Sequence, residues 1–227
     1  MKFKHLMMLA VAAILALAAC GKSSDGQAAL DNIFARRSVR SFTSKDVSPE
    51  QVETLLRAAM AAPSGMNMQP WRFVVVRDST TKARLTKHGS EFIKTAPVVI
   101  VVCAELAEET DENQKPNQNW MADCAAATEN LLLAAQAMGL GACWTACFPY
   151  FSIQTDAKRT LRLPENVRPY SIIPVGYPAG ETQAKDKWKP ENIHYEHWRR
   201  DADEEGSTPT AKLPVRSGRR APLKKAN

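Results

Sequence analysis

Pro63-Ser64-Gly65-Met66-Asn67-Met68-Gln69-Pro70-Trp71 joins a helical pattern to a β-branched one, and the reading of the chain turns on it. Pro63 and Pro70 stiffen a loop whose Ser64, Asn67 and Gln69 offer donors and acceptors to a polar ligand, such as a sugar alcohol or a heteroaromatic edge. The plainer alternative is a tight helix–strand connection. Upstream, Ser48-Pro49-Glu50-Gln51 is a helix start, with Ser as N-cap, Pro at the first position and Gln at the third. Val52, Leu55, Leu56 and Ala59 carry that helix on towards Pro63. Downstream, residues 72–77 read as a strand, and a polar helix is expected from about residue 80 to 87. The apolar run at 98–103 predicts a strand buried on both faces. Further helices are expected at 28–37, 117–138 and 155–161, and a further strand at 171–177. Helices and strands interleave, so the chain reads as a single α/β domain. The 117–138 helix carries small residues around most of its circumference, so it should be buried in a core or a subunit interface.

The 227 residues hold 30 Lys and Arg against 24 Asp and Glu, a net charge of +6, and 44% of them are hydrophobic. That composition excludes a wholly disordered or fibrous chain. The excess charge sits at the ends. Lys2 and Lys4 meet no acid in residues 1–20, and the basic residues of 199–227 outnumber Asp201, Asp203, Glu204 and Glu205 two to one. Residues 21–198 are neutral, so a globally cationic nucleic-acid-binding domain is not expected and no nucleic-acid partner is assigned.

Lys2 and Lys4 precede an apolar run from Leu6 to Ala19. This is the form of a secretory signal, too short for a comfortable membrane span. Leu17-Ala18-Ala19-Cys20 resembles the lipobox of bacterial lipoproteins, which implies cleavage before Cys20, its acylation, a membrane anchor and a place in the bacterial cell envelope outside the cytoplasm. A plain secretory signal is the alternative. The expected organisation is a signal over 1–20, a tether over 21–29, a folded domain over 30–198 and a disordered charged tail over 199–227. The basic cluster between Arg216 and Lys225 offers an electrostatic contact to anionic lipid or nucleic acid, although charge runs at termini are usually only solvated.

Cys103, Cys124, Cys143 and Cys147 lie in the expected domain. Their spacing lacks a Cys-x-x-Cys pair and no His lies close in sequence, so no metal site is expected. Cys103 and Cys124 read as small buried thiols, and a Cys143–Cys147 bridge is left open. Arg36-Arg37-Ser38-Val39-Arg40 puts three guanidiniums and a hydroxyl at a helix-to-loop junction, which suits a phosphate; a solvated basic turn is the alternative.

Arg36-Arg37-Ser38-Val39-Arg40 followed by Pro63-Ser64-Gly65-x-Asn67-x-Gln69-Pro70-Trp71 resembles the FMN-dependent nitroreductase family. Later segments agree in order: Asn130-Leu131-Leu132-Leu133-Ala134-Ala135, Gly139-Leu140-Gly141-Ala142-Cys143-Trp144, Pro174-Val175-Gly176-Tyr177-Pro178, Lys187-Trp188-Lys189-Pro190 and His194-Tyr195-Glu196-His197-Trp198. The resemblance covers residues 30–198. It implies an α+β nitroreductase-like fold, with a central, mostly antiparallel sheet flanked by helices, in a domain-entwined homodimer with FMN at the interface.

By the same resemblance, Arg36, Arg37 and Ser38 fall on the FMN-phosphate arm, and Arg40 falls near the flavin pyrimidine edge. A cation there would stabilise the charge left on reduction. Pro63, Ser64, Asn67 and Gln69 match the segment that approaches the flavin and ribityl chain from the partner subunit. Thr145, Ala146 and Cys147 match the loop whose backbone N–H approaches flavin N5. Lys187 and Lys189 are candidates for a second phosphate contact. Many members carry Glu-Gly where this chain has Ala146-Cys147, so Cys147 is either a thiol near the flavin or a filler lending its backbone. His88, His194 and His197 have no catalytic context, and the four tryptophans Trp120, Trp144, Trp188 and Trp198 read as core or interface residues.

The implied activity is an FMN-dependent oxidoreductase working by ping-pong, from NAD(P)H in typical relatives to nitroaromatics, quinones or similar small molecules. An anchored, outward-facing protein would meet little NAD(P)H, so either the donor differs or the signal reading fails. The contrasting expectation is a membrane-anchored flavin- or ligand-binding lipoprotein without turnover.

Overall fold

The computed structural model describes residues 25–86, 90–106 and 117–198. The signal segment, Cys20, the first part of the expected tether, His88 and the tail from 199 lie outside the described residues. The chain divides into two compact units, one up to Lys185 and the other from Asp186.

In the first unit α1 (Asp25–Ala35) is followed by α2 (Pro49–Met60), a 3₁₀ turn (Gly65–Asn67) and β1 (Trp71–Val76). Two short helices, α3 (Ser79–Leu85) and α4 (Phe92–Thr95), lead to β2 (Val98–Glu105). The long α5 (Trp120–Ala137), the two-residue strands β3 (Gly141–Ala142) and β4 (Thr145–Ala146), α6 (Phe151–Leu161) and β5 (Val167–Gly176) complete it. The start of α2 follows its sequence: the Gln51 amide donates to Ser48 Oγ at 3.3 Å, and the Ser48 amide donates to Gln51 Oε1 at 3.0 Å. Helix α1 begins three residues before its expected start and ends at Ala35, so the stretch expected as a tether is helical from Asp25 onwards.

The sheet runs β1-β2-β5-β3, with β4 also paired to β5, and every pairing among these strands is antiparallel. The alternation of helices and strands in the sequence therefore marks an α+β arrangement rather than a parallel α/β sheet. What the apolar run at 98–103 encodes is coverage, not strand direction. Side chains on a strand alternate between faces. Val98, Ile100, Val102 and Ala104 join Leu55, Ala59, Leu131 and Ala135 beneath α2 and α5. Val99, Val101 and Cys103 join Leu85, Ile93 and Ala157 beneath α3, α4 and α6. Helices on both faces leave β2 without a solvated side until Glu105.

Helix α5 buries Asp123, Cys124, Ala127, Thr128, Leu131, Leu132 and Ala135 against the sheet and α2. Its other side is half-buried in the single chain, and exposed at Met121 (39%), Ala122 and Ala137. The apolar face of α1 is open as well, through Leu30, Ile33 and Phe34. In the second unit Pro190–Asn192 form a 3₁₀ turn, and the His194 and Trp198 rings stack with centroids 4.0 Å apart. Trp188 and Trp198 are exposed there in the single chain, so of the core or interface positions expected for them the core is set aside.

All four cysteines of the domain are free and buried, so the Cys143–Cys147 bridge is not formed. Burial pushes the Cys103, Cys124 and Cys147 thiols up to about 12 from an ordinary value of 9.0. The unfolded chain thus releases these protons first. The stability they contribute is full below about pH 9 and is lost as the pH rises towards about 12. Urea midpoints should be flat near neutrality and fall above about pH 9, and iodoacetamide at about pH 8 should alkylate none of the three in the native protein, as mapped by peptide mass. Ready native alkylation of any of them would contradict this burial.

Candidate functional site

Beyond α1 the chain runs against β3. The Val39 amide donates to the Ala142 carbonyl at 2.9 Å, and Ser38 and Ala142 form an isolated parallel bridge. The approach needs Gly141, where a Cβ would lie 2.6 Å from Val39 Cβ. Val39 is buried by this pairing, which leaves Ser38 and Arg40 facing out. The three arginines are committed unequally. Arg36 Nε pairs with Glu129 Oε1 on α5 at 3.0 Å. Arg37 donates from Nε to Thr182 Oγ1 at 2.7 Å, and from Nη1 to Gln136 Oε1 at 3.1 Å and to the Ala35 carbonyl at 3.2 Å. Arg40 lies over the Phe92 ring, 5.8 Å from its centroid, and has no carboxylate partner among the described residues. Arg40 is thus the least committed cation of the arm.

The β3–β4 segment brings further polar groups to this place. Burial pushes the Cys143 thiol up, opposed first by the Arg40 cation and then by the Ser38 and Thr145 hydroxyls and Arg36. Residues 36, 38, 40 and 145, far apart in sequence, therefore surround one thiol. Thr145 Oγ1 is buried beside that weak partner and has no hydrogen bond of normal geometry among the described residues. An unpaired buried hydroxyl costs about 1–3 kcal/mol, which a polar ligand against β4 would recover. Ala146 is half-buried next to it. Cys147 differs: it is fully buried, and its amide donates to the Tyr170 carbonyl at 3.1 Å. Of the three residues expected along the N5 edge, Cys147 therefore has neither a free amide nor an accessible thiol. Its side chain belongs to the core.

The loop at 63–69 is strained and exposed. Met66, Asn67 and Gln69 all have positive φ, at 51°, 57° and 49°. Such conformations cost non-glycine residues about 1–2 kcal/mol each, so the surroundings must impose them. Within the loop the Gln69 amide donates to Ser64 Oγ at 3.1 Å, and Gln69 Nε2 donates to Asn67 Oδ1 at 2.8 Å. From outside, the Gly65 amide donates to Asp123 Oδ1 at 2.8 Å, and Asn117 Nδ2 donates to Asp123 Oδ2 at 3.0 Å. Pro63 opens the loop exposed, with Ser64 half-buried. Sequence reasoning missed Asp123 and Asn117. The available signal was a lone acid in the small-residue run of α5.

The two polar segments hold different parts of α5. Gly65 is fixed at Asp123 in its first turn, whereas Arg36 and Arg37 are fixed at Glu129 and Gln136. At 1.5 Å per residue those anchors lie about 9 and 20 Å further along the axis. No hydrogen bond or ion pair among the described residues joins 36–40 to 63–69. An aromatic group packs where α5 begins: Trp120 meets Phe148 edge-on at 5.0 Å and Tyr170 at 6.1 Å, and Trp144 meets Tyr170 at 5.8 Å. Trp120 is buried, as expected of a core residue. Lys187 and Lys189 belong to the second unit, where both are exposed.

A profile of the Nitroreductase family matches residues 33–90 and 85–177. The chain belongs to the nitroreductase family and is an oxidoreductase. It is 37% identical over 174 residues to a protein of Archaeoglobus fulgidus named "Putative NADH dehydrogenase/NAD(P)H nitroreductase", covering 74% of this chain and 98% of that one. A solved structure of the same name from Bacteroides thetaiotaomicron superposes with a TM-score of 0.67 at 41% identity, over 75% of this chain and 98% of the other. An FMN-dependent nitroreductase from Clostridium difficile gives a TM-score of 0.64 at 28% identity, over 72% and 96%. Membership of a family of oxidoreductases sets aside the expectation of a binding protein without turnover.

Proposed function

We propose that this protein binds FMN between two copies of the chain and passes electrons by ping-pong from NAD(P)H to small acceptors such as nitroaromatics or quinones. The observation that carries the reading is the convergence of Ser38, Arg40 and Thr145 around Cys143, with a cation lacking a carboxylate partner and a hydroxyl lacking a hydrogen bond of normal geometry among the described residues. The groups suit a flavin mononucleotide. Arg36, Arg37 and Ser38 offer guanidinium and hydroxyl donors to its phosphate. Thr145 supplies a donor along the polar edge of the ring. Arg40 counters the negative charge that collects near N1 and the C2 carbonyl on reduction. FMN, when bound, supplies the two-electron chemistry, and no acid–base triad is required of the protein.

The homodimer follows from α5. The loop at 63–69 and the arm are anchored about 9 to 20 Å apart along α5 and share no hydrogen bond among the described residues, so we assign the arm's partner loop to a second copy. The open faces of α1 and α5 give such a copy apolar surface to cover. Names of similar proteins, with NAD(P)H as donor, support the choice of donor. The form of Leu17-Ala18-Ala19-Cys20 supports an envelope location through acylated Cys20.

The purified mature protein should show a flavin absorption band, release FMN rather than FAD on denaturation, and give parallel double-reciprocal plots with NAD(P)H and a quinone. A colourless protein that does not take up added FMN would sink the reading. In cells fed labelled palmitate, the protein should carry label that Cys20→Ser abolishes; equal label in both would reject the anchor.

A further inference from the structure

We propose that Asp123 is a positioning residue, a buried carboxylate that sets the shape of the 63–69 loop and through it the affinity for FMN; the inference rests on the FMN reading above. Asp123 is 4% exposed, and no cation pairs with it among the described residues. Burying an unpaired carboxylate is costly, so its charge must be met by hydrogen bonds and dipoles. It is met from two directions. Gly65 N–H and Asn117 Nδ2 donate to its two oxygens, at 2.8 and 3.0 Å, and its place in the first turn of α5 puts it at the positive end of the helix.

Both oxygens accept, and neither position has a use for a donor. Asn117 is itself oriented, because its Oδ1 accepts from the Asn119 amide at 2.9 Å. An anchored amide at Gly65 stands immediately before Met66 and Asn67, the first of the left-handed residues. The backbone at Gly65 packs so closely on Asn119 that a Cβ there would meet its Nδ2 at 2.6 Å, so the position needs glycine. The strain of the loop is thus held against one carboxylate. Asp123 touches no part of the proposed flavin site directly, so its effect on FMN has to travel through Gly65.

The chemistry supplies its own control. Asp123→Asn places an amide N–H₂ group against either the Gly65 amide or the Asn117 amide, which leaves two donors facing each other. Adding Asn117→Asp restores every pairing with the charge moved one position: the amide oxygen at 123 accepts from Gly65, its N–H₂ donates to the carboxylate at 117, and that carboxylate still accepts from Asn119.

The test measures the FMN dissociation constant, and in FMN-free protein the hydrogen exchange of the Gly65 amide, for wild type, Asp123→Asn and the double swap. The single variant should bind FMN at least about tenfold more weakly and lose Gly65 protection, and the swap should recover both to within about threefold. Wild-type affinity in Asp123→Asn, or equal weakness in a folded swap, overturns the proposal. If Asp123→Asn does not fold, Asn117→Ala removes the donor to Asp123 together with the acceptor for the Asn119 amide, and should weaken FMN by about threefold or more; unchanged affinity overturns the proposal. If the wild type itself takes up no FMN, the FMN reading fails separately. Asp123 is then judged by Gly65 alone: protection lost in the single variant and regained in the swap supports its role, and an unprotected Gly65 in the wild type ends it.

Discussion

Helix α5 is the rigid ruler on which the polar parts of this protein are mounted. Cys124, Ala127, Leu131 and Ala135 fix it against the sheet, and none of these four is exposed at all. Close packing of that kind leaves no freedom to slide, because a displaced helix would open voids along its whole length. Asp123, Glu129 and Gln136 then project at fixed intervals to hold Gly65, Arg36 and Arg37. The proposed assembly uses that spacing: the arm of one chain would be completed by the loop that a second α5 brings alongside.

Electrostatics on the arm follow the same division. Arg36 and Arg37 spend part of their donor capacity on α5 and on Thr182, which orients their remaining N–H groups in advance. A pre-oriented fork loses less freedom when an anion arrives. Arg40 rests on an aromatic face and keeps its charge unpaired by carboxylate, a modest contact that a stronger partner can replace. The neighbouring Cys143 is buried beside these cations with its thiol pushed up, so it serves as packing under the arm.

Much of this was legible in the sequence, for physical reasons that differ by element. Ser48-Pro49-Glu50-Gln51 carries the capping chemistry that the structure realises, and the double-faced burial of β2 is written in its unbroken apolar run. The arm and the loop stood out because arginines and amides cluster where hydrophobic periodicity stops. Strands β3 and β4, two residues each, have no period to detect and exist only because β5 offers an edge. Strand direction came from the family resemblance, which implied the mostly antiparallel sheet, and not from the apolar runs, because coverage by helices produces identical runs in parallel and antiparallel sheets. Of the two readings open for Cys147, its burial favours the filler, because the turn after β4 points the thiol into the core. Asp123 was invisible as a positioning group because its partners are backbone and a residue six positions away.

The central claim is that each flavin site takes its arm from one chain and its loop from another. Mixed dimers test it directly, with Arg40→Glu in one chain, Asn67→Trp in the other and a different affinity tag on each. Either variant alone should form a dimer without FMN, since both of its sites are broken. The mixed dimer should regain one FMN for two chains, because one site then combines the intact arm of the Asn67→Trp chain with the intact loop of the Arg40→Glu chain. A folded mixed dimer with no bound FMN would contradict the account and return both halves of the site to a single chain.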